Sequence, residues 1–504
     1  MYINPLNAID FYKADHRRQY PHGTEYVYSN FTPRSARHAI DSKLVGPNFD
    51  NKVVFVGLQG FCRWFLRDCF NQHFFSRPKV EVVAAYKRRM DRSLGEGAIP
   101  VEHIAALHDL QYLPIMIKAV PEGTRVPIGV PMLTIENTDE DFFWLTNYLE
   151  TVLSNSLWKA CTEATIAYEY RKLFKKYAVE TGGNLSFVDV QGHDFSARGM
   201  STIYDAASSG IGHLLSFVGT DTVSAIDYAE HYYGGNVIGV SVPATEHSVM
   251  SMGGREDEIS TFQRLIQDLY PSGIVSIVSD TWNFWTVITE YAARLKDIIL
   301  NRTPDSLGMA KVVFRPDSGD PVKIICGDPE APEGSPARKG AVQCLWDIFG
   351  GTTNASGYRT INQCVGLIYG DSITYSRASE ILERLKRASF ASDNIVFGIG
   401  SYTYQYVTRD TFGFAMKSTW GRVLGEPREL SKDPITDDGT KKSLKGLLKV
   451  IRTDDGNLTV LDQLLGRGMG GKADVMDIVF FDGEMDNPET FDTIKRRLCS
   501  TDER

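Results

Sequence analysis

Between residue 186 and about 420 the chain keeps returning to one pattern. A short run rich in Val, Ile and Phe closes on Gly, Ser, Asp, His or Arg. The units are LSFVDVQGHDF from Leu185, LLSFVGTDT from Leu214, VIGVSVPATEHS from Val237 and GIVSIVSDTW from Gly273. KVVFRPDSGDP from Lys311, CVGLIYGDS from Cys364 and NIVFGIGSYT from Asn394 complete the set. Near-continuous apolar runs of this length mark strands buried on both faces, as in parallel sheets. Their centres lie roughly 20 to 55 residues apart, room for a helix and loops in each crossover. The rhythm predicts an irregular α/β barrel with its chemistry where the strands end. An open doubly wound sheet is the competing arrangement.

The flanks read differently. In residues 1–185, Lys52–Phe61 and Leu113–Val120 have strand character, and Phe142–Leu157 and Ala164–Tyr177 read as two helices. Residues 326–360 are rich in Pro and Gly and read as a surface insertion; no role is assigned to 326–364. Beyond 420 come the Lys-rich KDPITDDGTKKSLKG from Lys432 and an α+β tail. The expected division is 1–185, 186–420 and 421–504, the last packing with the first.

Composition narrows the function. The 504 residues carry 54 Lys and Arg against 63 Asp and Glu, a net charge of −9. That excludes a nucleic-acid polymer as partner, which needs a broad basic face. It leaves small anions open, since these need only a local cluster of cations. Cys62, Cys69, Cys161, Cys326, Cys344, Cys364 and Cys499 are scattered without a CxxC, so neither a disulfide framework nor a zinc site is expected. The first residues lack a basic start followed by an apolar run, and no stretch approaches the ~18 apolar residues of a membrane span. A soluble cytoplasmic protein with no membrane partner is expected.

If the barrel forms, its strand ends must make one site. They are His193, Asp194, Phe195, Arg198, Asp221, Glu246, His247, Asp280, Arg315, Asp317, Gly370, Asp371, Gly400 and Ser401. An aromatic ring, two arginines, several carboxylates and Gly-containing loops suit a sugar phosphate joined to a flat ring. Asp317 and Asp371 suit sugar hydroxyls. His247 is open to reading as a metal ligand, a general base, a nucleophile that accepts a phosphoryl group, or a core histidine. Its neighbour Glu246 and the strand-end Asp280 favour a chemical role, and a metal cluster fails because His103 and His108 lie in a separate segment. Gly466–Ala473 (GRGMGGKA) imitates a phosphate loop but has Ala where Ser or Thr must bind Mg²⁺, and TVLDQLL before it reads as a helix. The Lys-rich segment is a solvated loop or a cationic lid.

These motifs resemble the nicotinamide phosphoribosyltransferases, a branch of the type II phosphoribosyltransferase family. The likeness runs from IDFYKADHRRQYP through KAVPEG, ENTDEDFFWLTNYLET, HDFSARG, GTDT, SVPATEHS, VSDTW, RPDSGDP, YGDS and VFGIG to VTRD and KDP. It implies an irregular α/β barrel with an additional α+β domain built from N- and C-terminal segments. It implies transfer of phosphoribose from phosphoribosyl pyrophosphate to nicotinamide, giving nicotinamide mononucleotide and pyrophosphate in NAD salvage. Mg²⁺ bound through pyrophosphate and ATP as co-substrate are implied with it, the ATP being hydrolysed through a phosphohistidine at His247.

Carried over by motif, Phe195 stacks on nicotinamide, and Tyr12 of a second subunit covers the other face, so the sites lie at a homodimer interface. Asp221 accepts the carboxamide N–H₂ and repels the carboxylate of nicotinate. Glu246 and Asp280 hold the His247 tautomer, and Arg315 and Asp317 face ribose and base. Gly370, Asp371, Gly400 and Ser401 hold ribose and 5′-phosphate. Arg34, Arg198, Arg409 and Lys417 neutralise pyrophosphate alongside His247 and Arg315. The sequence departs from the family where Gly398–Ile399–Gly400–Ser401–Tyr402 replaces a glycine run and Ala415 replaces a serine. A nicotinate phosphoribosyltransferase and a non-catalytic sensor of nicotinamide mononucleotide are the alternatives.

Overall fold

The computed structural model describes residues 4–235, 237–432, 444–463 and 473–500. Its strands, in chain order, are β1 (Thr24–Thr32), β2 (Ile115–Ala119), β3 (Leu133–Asn137), β4 (Gly192–Asp194), β5 (Gly219–Thr220) and β6 (Gly273–Val278). They continue with β7 (Ala310–Arg315), β8 (Val365–Tyr369), β9 (Val396–Ile399), β10 (Ala415–Val423), β11 (Glu426–Glu429), β12 (Asp477–Phe481) and β13 (Glu484–Met485). Three helices matter most, α1 (Glu150–Thr181), α2 (Ile203–Leu214) and α3 (Phe491–Cys499).

The strand-and-loop rhythm folds as a parallel sheet in the order β5-β4-β9-β8-β7-β6. The segment around 240–244 closes it. Val240 bridges Gly219 at one edge and Ala244 bridges Ser276 at the other, both in parallel sense. Seven segments therefore run round a barrel in chain order, which decides against the open doubly wound sheet. The ring is irregular because two units do not extend as read. Leu185–Gln191 forms helical turns, started by the Asn184 side chain accepting from Ser186 N–H, so only Gly192–Asp194 remains extended. The segment VIGVSVPATEHS makes only single bridges; Pro243 within it offers no backbone donor. Val275, Ile277, Val312, Phe314, Leu367, Tyr369, Phe397 and Ile399 form the buried heart of the barrel. Such burial of aliphatic side chains contributes about 1.5–3 kcal/mol each.

The second layer is antiparallel, in the order β11-β10-β1-β3-β2-β12-β13. Chain beginning and chain end thus share one sheet, as the resemblance implied. β10 belongs to it although its residues begin before the expected boundary at 420.

Four local readings need correction. The two helices read at 142–157 and 164–177 are largely the single helix α1, ended by Gly182 at φ 61°. In Lys52–Phe61 only Lys52–Val54 is extended, and Leu58–Phe61 is helical after Gly57 turns the chain at φ 105°. The interval 326–360 is not merely superficial, because helix Ala341–Phe349 buries Ala341, Val342, Leu345 and Phe349 in the barrel core. The start of TVLDQLL (459–465), read as helix, lies instead in the strand Leu458–Asp462, which pairs with Leu448–Arg452 as a hairpin, in keeping with its β-branched Thr459 and Val460. Gly466–Lys472 and most of the Lys-rich stretch, 433–443, lie outside the described residues.

α3 seals the seam. Phe491, Ile494 and Leu498 enter the apolar cluster of Leu214, Tyr233 and Ile238. Lys495 donates to the carbonyls of Leu214 (2.8 Å) and Phe217 (2.9 Å) at the end of α2, where a cation suits the helix dipole. Burial lowers its ammonium pKa to about 8.

α1 and α2 cross in close contact at Gly212, where a Cβ would stand 2.6 Å from Ala164 N and 2.8 Å from Ala160 O. Gly212→Ala would gain about 1 kcal/mol of helix propensity but must push two backbones apart, which costs about 1–3 kcal/mol or more. A net destabilisation is expected, read as a lower denaturant midpoint; an unchanged or higher midpoint would refute this contact.

Candidate functional site

The loop after β4 supplies the floor of the barrel mouth. Phe195 N–H donates to Ile399 O (2.9 Å), which fixes the ring across the ends of the neighbouring strands. A Cβ at Gly370 would stand 2.5 Å from that ring, and one at Gly398 closer still. Those two glycines therefore make room for an aromatic side chain. Gly400 differs: its nearest neighbours would be the Phe195 backbone at 3.6 Å, an ordinary contact. It caps the turn Ser401–Tyr404, whose first residues open on the mouth.

Asp221 follows β5 at the same rim. Its Oδ1 accepts from His193 Nε2 (2.9 Å) and Ser241 Oγ (2.7 Å), and its N–H donates to Asp194 O (2.9 Å). Burial alone would raise its carboxyl pKa. The hydrogen bonds from His193 and Ser241, with the charge of Arg315, outweigh that and hold it below the usual range. The His193 ring also lies 5.2 Å from that of Phe195, so carboxylate and aromatic floor are neighbours.

His247 begins the short helix His247–Ser251, exposed at the rim. Its Nδ1 lies 3.2 Å from Thr281 Oγ1 and its Nε2 3.8 Å from Asp280 Oδ1. Asp280 is buried. Its Oδ2 accepts from Asp317 N–H (2.8 Å) and Ser318 Oγ (2.6 Å), whereas Oδ1 has no hydrogen-bond partner and faces the histidine. The expected partnership with Glu246 is not made: that carboxylate takes the Ser248 hydroxyl, because as the residue before the helix it turns along the chain. Arg315 Nη2 donates to Thr245 O (2.7 Å). Asp317 has a raised carboxyl pKa, chiefly through burial and then the nearby carboxylates of Asp280 and Asp371, with Arg315 and His247 opposing.

The remaining cations gather elsewhere. Glu150, at the start of α1, pairs with Lys13 and with Lys417 (3.8 Å). Arg34 Nε donates to Gly413 O (3.0 Å). Lys417 has a lowered pKa, first through burial, with repulsion from Arg34, Lys13 and Arg409 acting in the same direction and the attraction of Glu150 opposing. Lys13, Arg34, Arg409 and Lys417 thus form one electropositive group. Arg198 stands exposed on the turn Ala197–Gly199, beside Ser401. Tyr12 is 61% exposed, its ring packed on His16 rather than on Phe195.

Strand-end logic did not assign roles to Ser241, Thr281, Ser318 or His193, although each lies within a few residues of a strand end. The three hydroxyls carried no spacing signal, and His193, although among the strand-end residues, gains its role only from its contact with Asp221. Lys13 was likewise hidden inside the N-terminal motif. Among the described residues no three His, Cys, Asp or Glu side chains converge as a metal cage. The buried Asp280 Oδ1, which takes no hydrogen bond, is nonetheless a hard oxygen of the kind that suits Mg²⁺ when most of its ligands come from phosphate and water.

Residues 190–481 match the nicotinate phosphoribosyltransferase (NAPRTase) family, and residues 4–86 match the nicotinamide phosphoribosyltransferase N-terminal domain. The chain is 63% identical over 498 residues to a protein of Acinetobacter baylyi (strain ATCC 33305 / BD413 / ADP1) named nicotinamide phosphoribosyltransferase, covering 99% of this chain and 97% of that one. To the protein of the same name from Mycoplasma pneumoniae (strain ATCC 29342 / M129 / Subtype 1) it is 34% identical, covering 91% and 97%. The fold is shared with nicotinate-nucleotide pyrophosphorylase from Pyrococcus furiosus, with TM-score 0.57, 15% identity and coverage of 100% and 98%. It is shared also with human nicotinic acid phosphoribosyltransferase, with TM-score 0.53, 13% identity and coverage of 98% and 93%. No helix among the described residues is long and apolar enough to cross a membrane. By these matches, and by a barrel whose strand ends gather an aromatic floor, a carboxylate and a histidine–aspartate pair, the chain belongs to the nicotinate phosphoribosyltransferase (NAPRTase) family.

Proposed function

We propose that this protein transfers phosphoribose from phosphoribosyl pyrophosphate to nicotinamide, forming nicotinamide mononucleotide and pyrophosphate. The names of its relatives support the choice of reaction, and one observation carries the choice of base. Both donors to Asp221 converge on Oδ1, which leaves Oδ2 to accept from a carboxamide N–H₂ on a ring stacked at Phe195, whose own ring neighbours that of His193. A carboxylate held ionised there repels nicotinate. With the ring on Phe195, its nitrogen is oriented toward C1′; the C1′–N bond forms as the C1′–O bond to pyrophosphate breaks. Asp317 and Asp371 lie where positive charge develops on the ribose, and the cations take the departing anion.

We extend the reading to ATP. A carboxylate opposite Nε2 favours the tautomer with its proton there, so Nδ1 carries the lone pair and accepts from Thr281. Nδ1 is then the atom to take the γ-phosphoryl group, with ADP leaving. Mg²⁺, held by phosphate oxygens and Asp280 Oδ1, would supply charge neutralisation on the polyphosphate.

The reading includes a homodimer. Ile203, Val223, Val237 and Met252 are left in solvent on segments near the barrel strand ends, and Phe11 and Tyr12 on the N-terminal segment. Apposition of two copies, N-terminal segment of each against the mouth of the other, would cover both sets and bring Tyr12 over Phe195.

In competition, nicotinamide should be used in preference to nicotinate. Asp221→Ala should lower kcat/KM for nicotinamide by about 10- to 100-fold, the value of a hydrogen bond to a charged acceptor. Preference of the unaltered protein for nicotinate would overturn the specificity argument, and absence of mononucleotide product would overturn the activity. His247→Ala should abolish ATP hydrolysis and slow transfer at limiting substrate; an undiminished ATPase rate refutes the phosphohistidine. Mixed Tyr12→Ala and Phe195→Ala subunits should recover part of the activity lost in each, and confirmed heterodimers without recovery would exclude shared sites.

A further inference from the structure

Behind the loops that bear Arg198 and Ser401 lies a polar network, centred on a buried lysine, that the reaction scheme above does not use. Lys159 projects from α1 with its side chain only 8% exposed. Its ammonium contacts three groups: Asp205 Oδ2 (2.6 Å), Gln405 Oε1 (2.6 Å) and Met200 Sδ (3.2 Å). All three N–H donors of the ammonium are thereby engaged.

The partners tie two loops together. Asp205 Oδ2 also accepts from Ser201 N–H (2.9 Å), and Gln405 Nε2 donates to Ser201 Oγ (3.2 Å). Gln405 N–H in turn donates to Ser401 O (2.9 Å), and Gly199 packs so closely on Ser401 that a Cβ has no room. One loop carries Arg198 and the other Ser401, so both edges of the proposed phosphate site are referenced to one ammonium. The charge matters as well. Lys159 is the counter-ion for Asp205 and neighbours Glu163, one turn along the same helix, where burial and the nearby Asp194 push the carboxyl well above its usual range. Without the ammonium, the Asp205 carboxylate would stand uncompensated behind an anion site.

We propose that Lys159 is a positioning residue for the phosphate end of phosphoribosyl pyrophosphate, fixing the spacing of the loops that bear Arg198 and Ser401. It acts at second remove, since a misplacement of about 1 Å in such a shell is enough to cost much of the binding. The inference rests on the reading that this mouth binds phosphoribosyl pyrophosphate.

Calorimetric titration of the full-length protein with Mg²⁺–phosphoribosyl pyrophosphate, together with the KM for nicotinamide, tests it. Lys159→Met should weaken donor binding by about tenfold or more, the scale of a lost charged hydrogen bond, while leaving the nicotinamide KM within about twofold. Lys159→Arg, which keeps the charge, should restore most of the loss. Gln405→Ala removes one tie without stranding a buried charge and should weaken donor binding by about threefold; it decides the matter if the methionine variant does not fold. Unchanged donor affinity in a folded Lys159→Met or Gln405→Ala protein overturns the proposal, as does an equal rise in the nicotinamide KM. Failure of the unaltered protein to bind the donor would instead overturn the functional reading itself, and this inference with it.

Discussion

The structure hangs on one buried helix. α1 spans 32 residues, about 48 Å at 1.5 Å per residue, and every position from Thr162 to Tyr170 is buried. Leu153, Leu157 and Cys161 enter the apolar core beneath the antiparallel sheet. Ala160, Ala164 and Tyr168 enter the core sealed by α3, and Ile166, Tyr170 and Phe174 enter that of the barrel. A rigid rod shared by three cores fixes their mutual placement, because no one of them can repack without moving the others. The same rod presents Glu150 to the cation group and Lys159 to the loops of the barrel mouth.

The distribution of charge follows from that placement. A chain with a net charge of −9 still assembles a group of Lys13, Arg34, Arg409 and Lys417, in which Glu150 pairs with Lys13 and Lys417 and Asp410 with Arg409. Glu150 and Asp410 are fewer than the four cations, so the group keeps an excess of positive charge, which suits a small anion. At the barrel mouth the balance is reversed. Asp280, Asp317 and Asp371 crowd together and Asp317 has a raised pKa, an arrangement suited to a sugar centre that becomes positive.

Glycine at the strand ends illustrates how a correct motif can have a different cause. The sequence suggested that Gly370 lets backbone approach a phosphate. In the fold its missing Cβ is occupied by Phe195, and Gly398 is constrained in the same way. The aromatic floor exists because two neighbouring strands end without side chains, a relation between residues 175 and more positions apart that no local pattern expresses.

The alternation of apolar runs and polar closures was enough to determine buried parallel strands with chemistry at their ends, since such strands need continuous apolar sequence and their ends alone are free for polar residues; that they close into a barrel rather than an open sheet was decided by the bridges at Val240 and Ala244. It was likewise enough to bring Phe195, Asp221, His247, Asp280 and Asp317 onto one candidate list. Only the tertiary structure decided the pairings within that list: that His193 and Ser241 engage Asp221, that Thr281 rather than Glu246 meets His247, and that a bridge of single contacts closes the ring. It also joined two helices into one. The polar residues Lys159, Thr162 and Glu163 fall in the gap between the two helices expected at 142–157 and 164–177. In the fold they are buried, where partners distant in sequence make burying an ammonium tolerable. Periodicity reports what a segment would do against an apolar surface; where burial depends on a polar partner hundreds of residues away, only the assembled fold contains the information.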